Sequence, residues 1–172
     1  MSAKSVVYVG MEEIPMSRAF TKEIDDAPPP PVPERSISTA RNLVTPNGAR
    51  QIEQMVAALM QQTAATSDSE LRAALKRDLR YWEARRASME VMEPLSEPGT
   101  VKFGTHVSIG RGGAVKDIRI VGEDEADPSA GAIAWTSPLA RALEDAAPGD
   151  TVEFAVADRE EEIVVLSVAG MN

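Results

Sequence analysis

Carboxylates are the chemistry-bearing side chains that this sequence groups most densely. Glu123, Asp124, Glu125 and Asp127 fall close together, and Asp68 and Glu70 sit two apart in a polar stretch. Oxygen ligands suit a hard cation, and metals held this way stabilise the attacking and leaving oxygens of phosphodiester hydrolysis. Asp68 and Glu70 also have a plainer use: Ser67-Asp68-Ser69-Glu70 fits a capping box, the Ser67 hydroxyl and the Glu70 carboxylate each satisfying an orphan backbone donor. The run from Glu123 to Asp127 has no such packing purpose in the sequence and reads as a partner-binding surface, although Asp127-Pro128 also starts a turn. Arg72, Lys76 and Arg80 recur at i, i+4 and i+8. That spacing makes a basic stripe, either for an anionic partner or as a solvated helix face paired with neighbouring acids such as Asp78, Glu83 and Glu90. His106 is the single histidine and cysteine is absent, which removes zinc ribbons, cysteine nucleophiles and histidine triads. No catalytic residue, metal ligand or cofactor is assigned.

The elements that must position these groups follow from periodicity. Thr45 as N-cap with Pro46 at the first helical position opens a helix, and Ile52, Met55, Val56, Leu59 and Met60 form its apolar stripe to about residues 62–66. A second helix begins at the capping box, with Leu71, Leu75, Leu79, Trp82 and Met89 facing inward, and runs to about Glu93 before Pro94 and Pro98 stop it. A short connection between two apolar stripes predicts an antiparallel hairpin. Beyond it, five β-rich runs at residues 101–109, 115–121, 132–135, 151–156 and 163–168 are separated by glycine and proline turns. Ser137 and Pro138 open one short helix among them, with Leu139 and Leu143 toward the sheet. The fold class is α+β: residues 1–42 a disordered, proline-rich extension, residues 43–97 a helical hairpin, and residues 98–172 a sheet domain with one helix.

A 172-residue chain with 43% hydrophobic content can bury a real core. Net charge of -9 opposes phosphate attraction, so tight binding to free DNA is not expected and a basic protein surface is the better partner. No run approaches the roughly 20 apolar residues of a bilayer span, which predicts a cytoplasmic chain without a membrane partner. A monomer is expected. The run Pro28-Pro29-Pro30-Pro31-Val32-Pro33 reads as a solvated spacer or as a ligand for an aromatic groove, and Met16 offers a second translation start.

Ile120 to Asp127 followed by Trp135-Thr136-Ser137-Pro138-Leu139-Ala140-Arg141-Ala142-Leu143 resembles the C-terminal domain of the bacterial Gre transcript-cleavage and elongation factors. Leu43-Val44-Thr45-Pro46-Asn47-Gly48 resembles that family's entry into its helical hairpin, and Asp78 to Trp82 and Val101 to Gly104 match more loosely. The resemblance implies a coiled-coil hairpin joined to an FKBP-like domain, with RNA polymerase as partner. In such factors the C-terminal domain grips the rim of the secondary channel, and the hairpin carries two tip carboxylates that help hold a second magnesium ion. It assigns Asp124, Glu125, Asp127, Ser137, Pro138 and Arg141 to polymerase binding. It places Asp68 and Glu70 at the tip, and Arg72, Lys76 and Arg80 toward nucleic acid or the channel. This hairpin is shorter than the family's by about three heptads, on the order of 15 Å per arm, and lacks the family's acidic tip signature. The expectation is therefore a non-enzymatic transcription factor that modulates elongation by occupancy, with weak or no cleavage stimulation. The alternatives are a short-hairpin regulator of the nucleoside diphosphate kinase regulator type, competing with full-length Gre factors, and a folding helper using the FKBP-like domain with Phe103, Trp135 and Phe154.

Overall fold

Thr45 and Pro46 start the first helix as their chemistry dictates. The Thr45 hydroxyl accepts the Gly48 N–H at 3.0 Å, and Pro46 fills a position whose N–H would have no partner. In the computed structural model, which describes residues 33–156 and 159–171, a short strand β1 (Asn42–Val44) leads into α1 (Pro46–Ala65). Only Thr66, Ser67 and Asp68 separate α1 from α2 (Ser69–Ser88), so the two fold back as a hairpin whose arms are each about 30 Å long. Ile52, Val56 and Leu59 form the buried stripe of α1. Met55 and Met60, expected inward, are 41% and 53% exposed. On α2 the expected inward residue Leu71 is also exposed, Leu75, Leu79 and Trp82 are half-buried, and the buried side chain is Arg85.

Two expectations about α2 are corrected. Its N-cap is Asp68, not Ser67: Asp68 Oδ1 accepts the Glu70 and Leu71 N–H groups at 2.9 and 3.1 Å. The Asp68 N–H, which a capping-box glutamate would accept, goes to Thr66 Oγ1 at 3.2 Å, and Glu70 is left exposed. The helix also ends at Ser88 instead of near Glu93. Met89–Val91 leaves it as strand β2 and pairs in parallel with β1, and the Met92 N–H adds a bond to Val44 O at 2.9 Å. Parallel strands need a long crossover between them, and here the hairpin itself is that crossover.

The remaining elements are β3 (Thr105–Arg111), β4 (Ala114–Val121), β5 (Ala132–Ala134), α3 (Pro138–Leu143), β6 (Thr151–Val156) and β7 (Arg159–Gly170). They build a five-stranded sheet in the order β5-β4-β3-β7-β6, antiparallel except for β4 with β5. β3 starts at Thr105, not Val101, because the Thr105 hydroxyl turns back to Lys102 O at 2.7 Å and the Val101 N–H is spent on Ala146 O. β7 is longer than expected, and its register shift opposite Ser108 and Ile109 leaves Leu166 exposed. Val107, Ile109, Ile118, Ile120, Ile163 and Val165 form the inner face, closed by Ala140 and Leu143 of α3, with Trp135 and Phe154 packed on the same core.

The architecture is α+β, with hairpin and sheet in one compact unit. Part of the extension expected to stay unpacked does not. Residues 33–41 have no regular secondary structure, yet Glu34, Arg35 and Arg41 contact α2 or β2, Ser38 reaches Glu123, and Asn42 is buried in β1. The proline run and Met16 lie outside the described residues, apart from Pro33.

Candidate functional site

The acidic run and the hairpin entry, far apart in sequence, meet in space. Gly122 ends β4 at a place where a Cβ would stand 2.6 Å from the Leu43 carbonyl, so the chain passes directly against β1 before Glu123–Glu125 turn through a single 3-10 turn. Glu125 then caps the start of α1 from outside: its Oε1 accepts the Thr45 N–H at 2.9 Å and the Gly122 N–H at 3.3 Å, and its Oε2 accepts the Thr45 hydroxyl. The Thr45 side chain is therefore both acceptor and donor. A negative charge over the first turn of α1 also complements the helix dipole, where the helix supplies no acid of its own.

Asp124 locks the other arm. Its Oδ2 accepts from Arg85 Nε at 2.5 Å and its Oδ1 from the Tyr81 hydroxyl at 2.7 Å, while Arg85 Nη2 lies 3.5 Å from Glu123. The Arg85 and Asp124 side chains are only 2% and 8% exposed. Glu123 additionally accepts from Thr136 and Ser38, each at 3.0 Å, tying the approach to α3 and the N-terminal segment to the same turn. Asp127 caps its own turn by accepting from Ser129 and Ala130, and the Ser129 bond in particular holds its carboxyl below the usual range. All four acids thus have structural partners, which corrects the expectation that the run has no packing purpose.

Burial, and then the bond to Asp124, push the Tyr81 hydroxyl up to about 12. Because the folded-state value is raised above the ordinary 10, this contribution to stability is complete below pH 10 and is lost as pH rises toward 12. Of the two tyrosines, the late-titrating one should be Tyr81. Absorbance titration of phenolate should show a component near 12 that Tyr81→Phe removes; removal of a component near 10 instead would refute the buried, hydrogen-bonded setting of Tyr81.

The other assigned residues are more dispersed. Ser137 caps α3 by accepting the Ala140 N–H at 3.2 Å, and Pro138 and Arg141 stand exposed on that helix. Asp68 and Glu70 are at the hairpin tip. Arg72 folds back to donate to Thr66 O, Arg80 pairs with Glu34, and Lys76 is exposed, so the basic stripe is not a uniformly free face. His106 faces away from the core, opposite Arg119 and Ala169. Among the described residues, no cluster of three or more His, Asp or Glu is placed to hold a metal ion, and no helix is long and apolar enough to cross a membrane.

The sheet domain, residues 96–169, matches the model of the family described as Transcription elongation factor, GreA/GreB, C-term. A GreA of Cereibacter sphaeroides (strain ATCC 17029) is 30% identical over 166 residues, covering 92% of this chain and 98% of that protein. This chain belongs to the GreA/GreB family. GreB of Neisseria meningitidis (strain Z2491) is 38% identical over 97 residues, and GreA of Acidiphilium cryptum is 40% identical over 85. Those matches span 60% and 54% of the two relatives' lengths. Gfh1 of Thermus thermophilus, a solved GreA factor homologue, aligns at 16% identity with a TM-score of 0.37, covering 76% of this chain and 100% of its own. The junction also gives the two segments that resemble Gre factors a shared physical purpose in this member of the family: Thr45-Pro46-Asn47-Gly48 and Gly122 to Asp127 hold each other.

Arg85, Tyr81 and Gly48 were not singled out in the sequence as site residues. A signal for Arg85 was present, because the inward stripe of α2 steps from Trp82 to Met89 and Arg85 fills the skipped position.

Proposed function

We propose that this chain binds RNA polymerase at the mouth of its secondary channel and modulates elongation by steric occupancy, without supplying metal ligands. The supporting observation is the combination of a hairpin anchored by buried charge at its base and a tip poorly suited to a cation. Asp68 Oδ1 is spent on two backbone N–H groups, and the Arg72 guanidinium lies against the tip carbonyl of Thr66, bringing positive charge to the tip, which disfavours a cation there. Asp68 and Glu70 are both exposed, and the cap engages only one oxygen of Asp68. The residues present do not fit the second-metal role.

In this reading the FKBP-like sheet domain docks against the rim. Direct contact falls to Asp127, Pro138 and Arg141, all exposed. Asp124, Glu125 and Ser137 act by position, since their polar atoms are engaged within the chain. A folding-helper role has less support: Phe154 packs on the core, and the cavity of about 270 Å³ that Trp135 lines with Phe103 also carries the charged Arg41, Lys102 and Glu144, unlike an aromatic-lined proline pocket.

The test is competition on backtracked elongation complexes. The chain should bind core polymerase, displace a full-length Gre factor and suppress the cleavage that factor stimulates, while stimulating little itself. Strong cleavage that Asp68→Ala/Glu70→Ala abolishes would overturn the reading, as would absence of binding.

A further inference from the structure

Glu34 and Arg35 occupy α2 in a way that only a specific pair of side chains can. The Glu34 carboxylate accepts from Arg80 Nε at 3.3 Å and from Nη2 of the same guanidinium. The Arg35 guanidinium lies 3.8 Å from the Tyr81 ring centroid and 5.8 Å from that of Trp82. These two rings meet edge to face, 5.3 Å apart at 86°, and so present a corner in which a flat cation is attracted to both. The following residues contact neighbours of α2 instead: Ser38 donates to Glu123 of the turn after β4, and Arg41 pairs with Glu90 of β2 before β1 begins.

We infer that residues 34–41 are a releasable strap, covering in cis a docking face on α2 that takes an extended segment bearing an acid next to an arginine. The release follows from exposure. Arg80 and Glu34 are 55% and 61% exposed and Arg41 and Glu90 are 65% and 44%, so these pairs are screened by salt, whereas Arg85 beneath them is 2% exposed and is not. The strap can lift while the junction holds. Lifting it frees Arg80, the Tyr81 ring and one side of Trp82, whose surface also lines an open groove of about 380 Å³ with Ile52, Met55 and Ala58. That the competing segment belongs to RNA polymerase rests on the function proposed above; the seat and its chemistry do not.

The chain has no cysteine, so a nitroxide on Ser36→Cys reports on the strap alone. The label should be immobilised in the otherwise wild-type chain and become mobile with Glu34→Ala/Arg35→Ala or when salt is raised to about 0.5 M. Equal mobility in all three would overturn the strap. In a second arm, a peptide of residues 33–41 is added in trans up to a few millimolar, the range a short tether provides in cis. It should shift the Trp82 indole resonance of the double variant at concentrations at least tenfold lower than for wild type. No shift in either, or equal shifts in both, would overturn the cover. Failure of both proteins to bind core polymerase would count against the proposed function and leave these two outcomes to decide the strap.

Discussion

Arg85→Ala is expected to cost the folded chain about 3–5 kcal/mol, the range for removing one partner of a buried ion pair. Asp124 would be left at 8% exposure with only the Tyr81 hydroxyl as donor, and Glu123 would lose its nearest cation. A typical domain has only about 5–15 kcal/mol in hand, so the loss is a large fraction of the whole. Arg85→Lys should recover little of it. Nε serves Asp124 and Nη2 serves Glu123 from one planar group, and a single ammonium cannot reproduce that fork. The pair Arg85→Met/Asp124→Leu should recover part of the loss: the buried Asp124 charge is gone, while the more exposed Glu123 loses its cation and the Tyr81 hydroxyl its acceptor. Urea denaturation of wild type, Arg85→Met, Asp124→Leu and the double variant gives a double-mutant cycle, with Arg85→Ala and Arg85→Lys measured alongside. A single-variant loss below about 1 kcal/mol would show that the junction charges are solvated, and the rigid attachment of the hairpin would go with them.

The helices and strands were legible because each obeys a period or a cap: α1 from Thr45-Pro46 and the Ile52/Val56/Leu59 stripe, α3 from Ser137-Pro138, β4 from its run of alternating and then continuous apolar residues. What the sequence hid depends on contacts between distant segments. β1 and β2 are three residues each, too short for any period, and exist only because the hairpin returns to its own starting point. Glu123 to Glu125 looked surplus because their partners, Arg85, Tyr81 and Thr45, lie some 40 to 80 positions earlier. A charge read without its counter-ion reads as surface. At the tip the error was local: Ser67 and Asp68 both make good caps, and only the backbone geometry decides that Asp68 takes the position.

Gly48 carries the other large effect, because helix propensity and packing pull in opposite directions there. Alanine in a helix interior is favoured over glycine by about 1 kcal/mol, so on propensity alone Gly48→Ala stabilises α1. A Cβ at this position, however, would stand 2.1 Å from Glu125 Cδ and 2.2 Å from its Oε1. The carboxylate is the flexible end of a side chain and can swing away, but only by giving up the Thr45 N–H, the Thr45 hydroxyl and the Gly122 N–H. Charge-assisted bonds are worth about 1.5–3 kcal/mol each, and Thr45 is only 4% exposed, so water does not readily replace them. The loss outweighs the gain, and a net destabilisation of at least about 2 kcal/mol is expected. The sign should invert once the obstacle is removed: in a Glu125→Ala background, Gly48→Ala should stabilise by up to about 1 kcal/mol. A stabilising Gly48→Ala in the wild-type background would mean that Glu125 does not sit over the start of α1. The hairpin would then be held at that end by β1 and β2 alone, free to pivot about a base that the buried Arg85 pins on one side only.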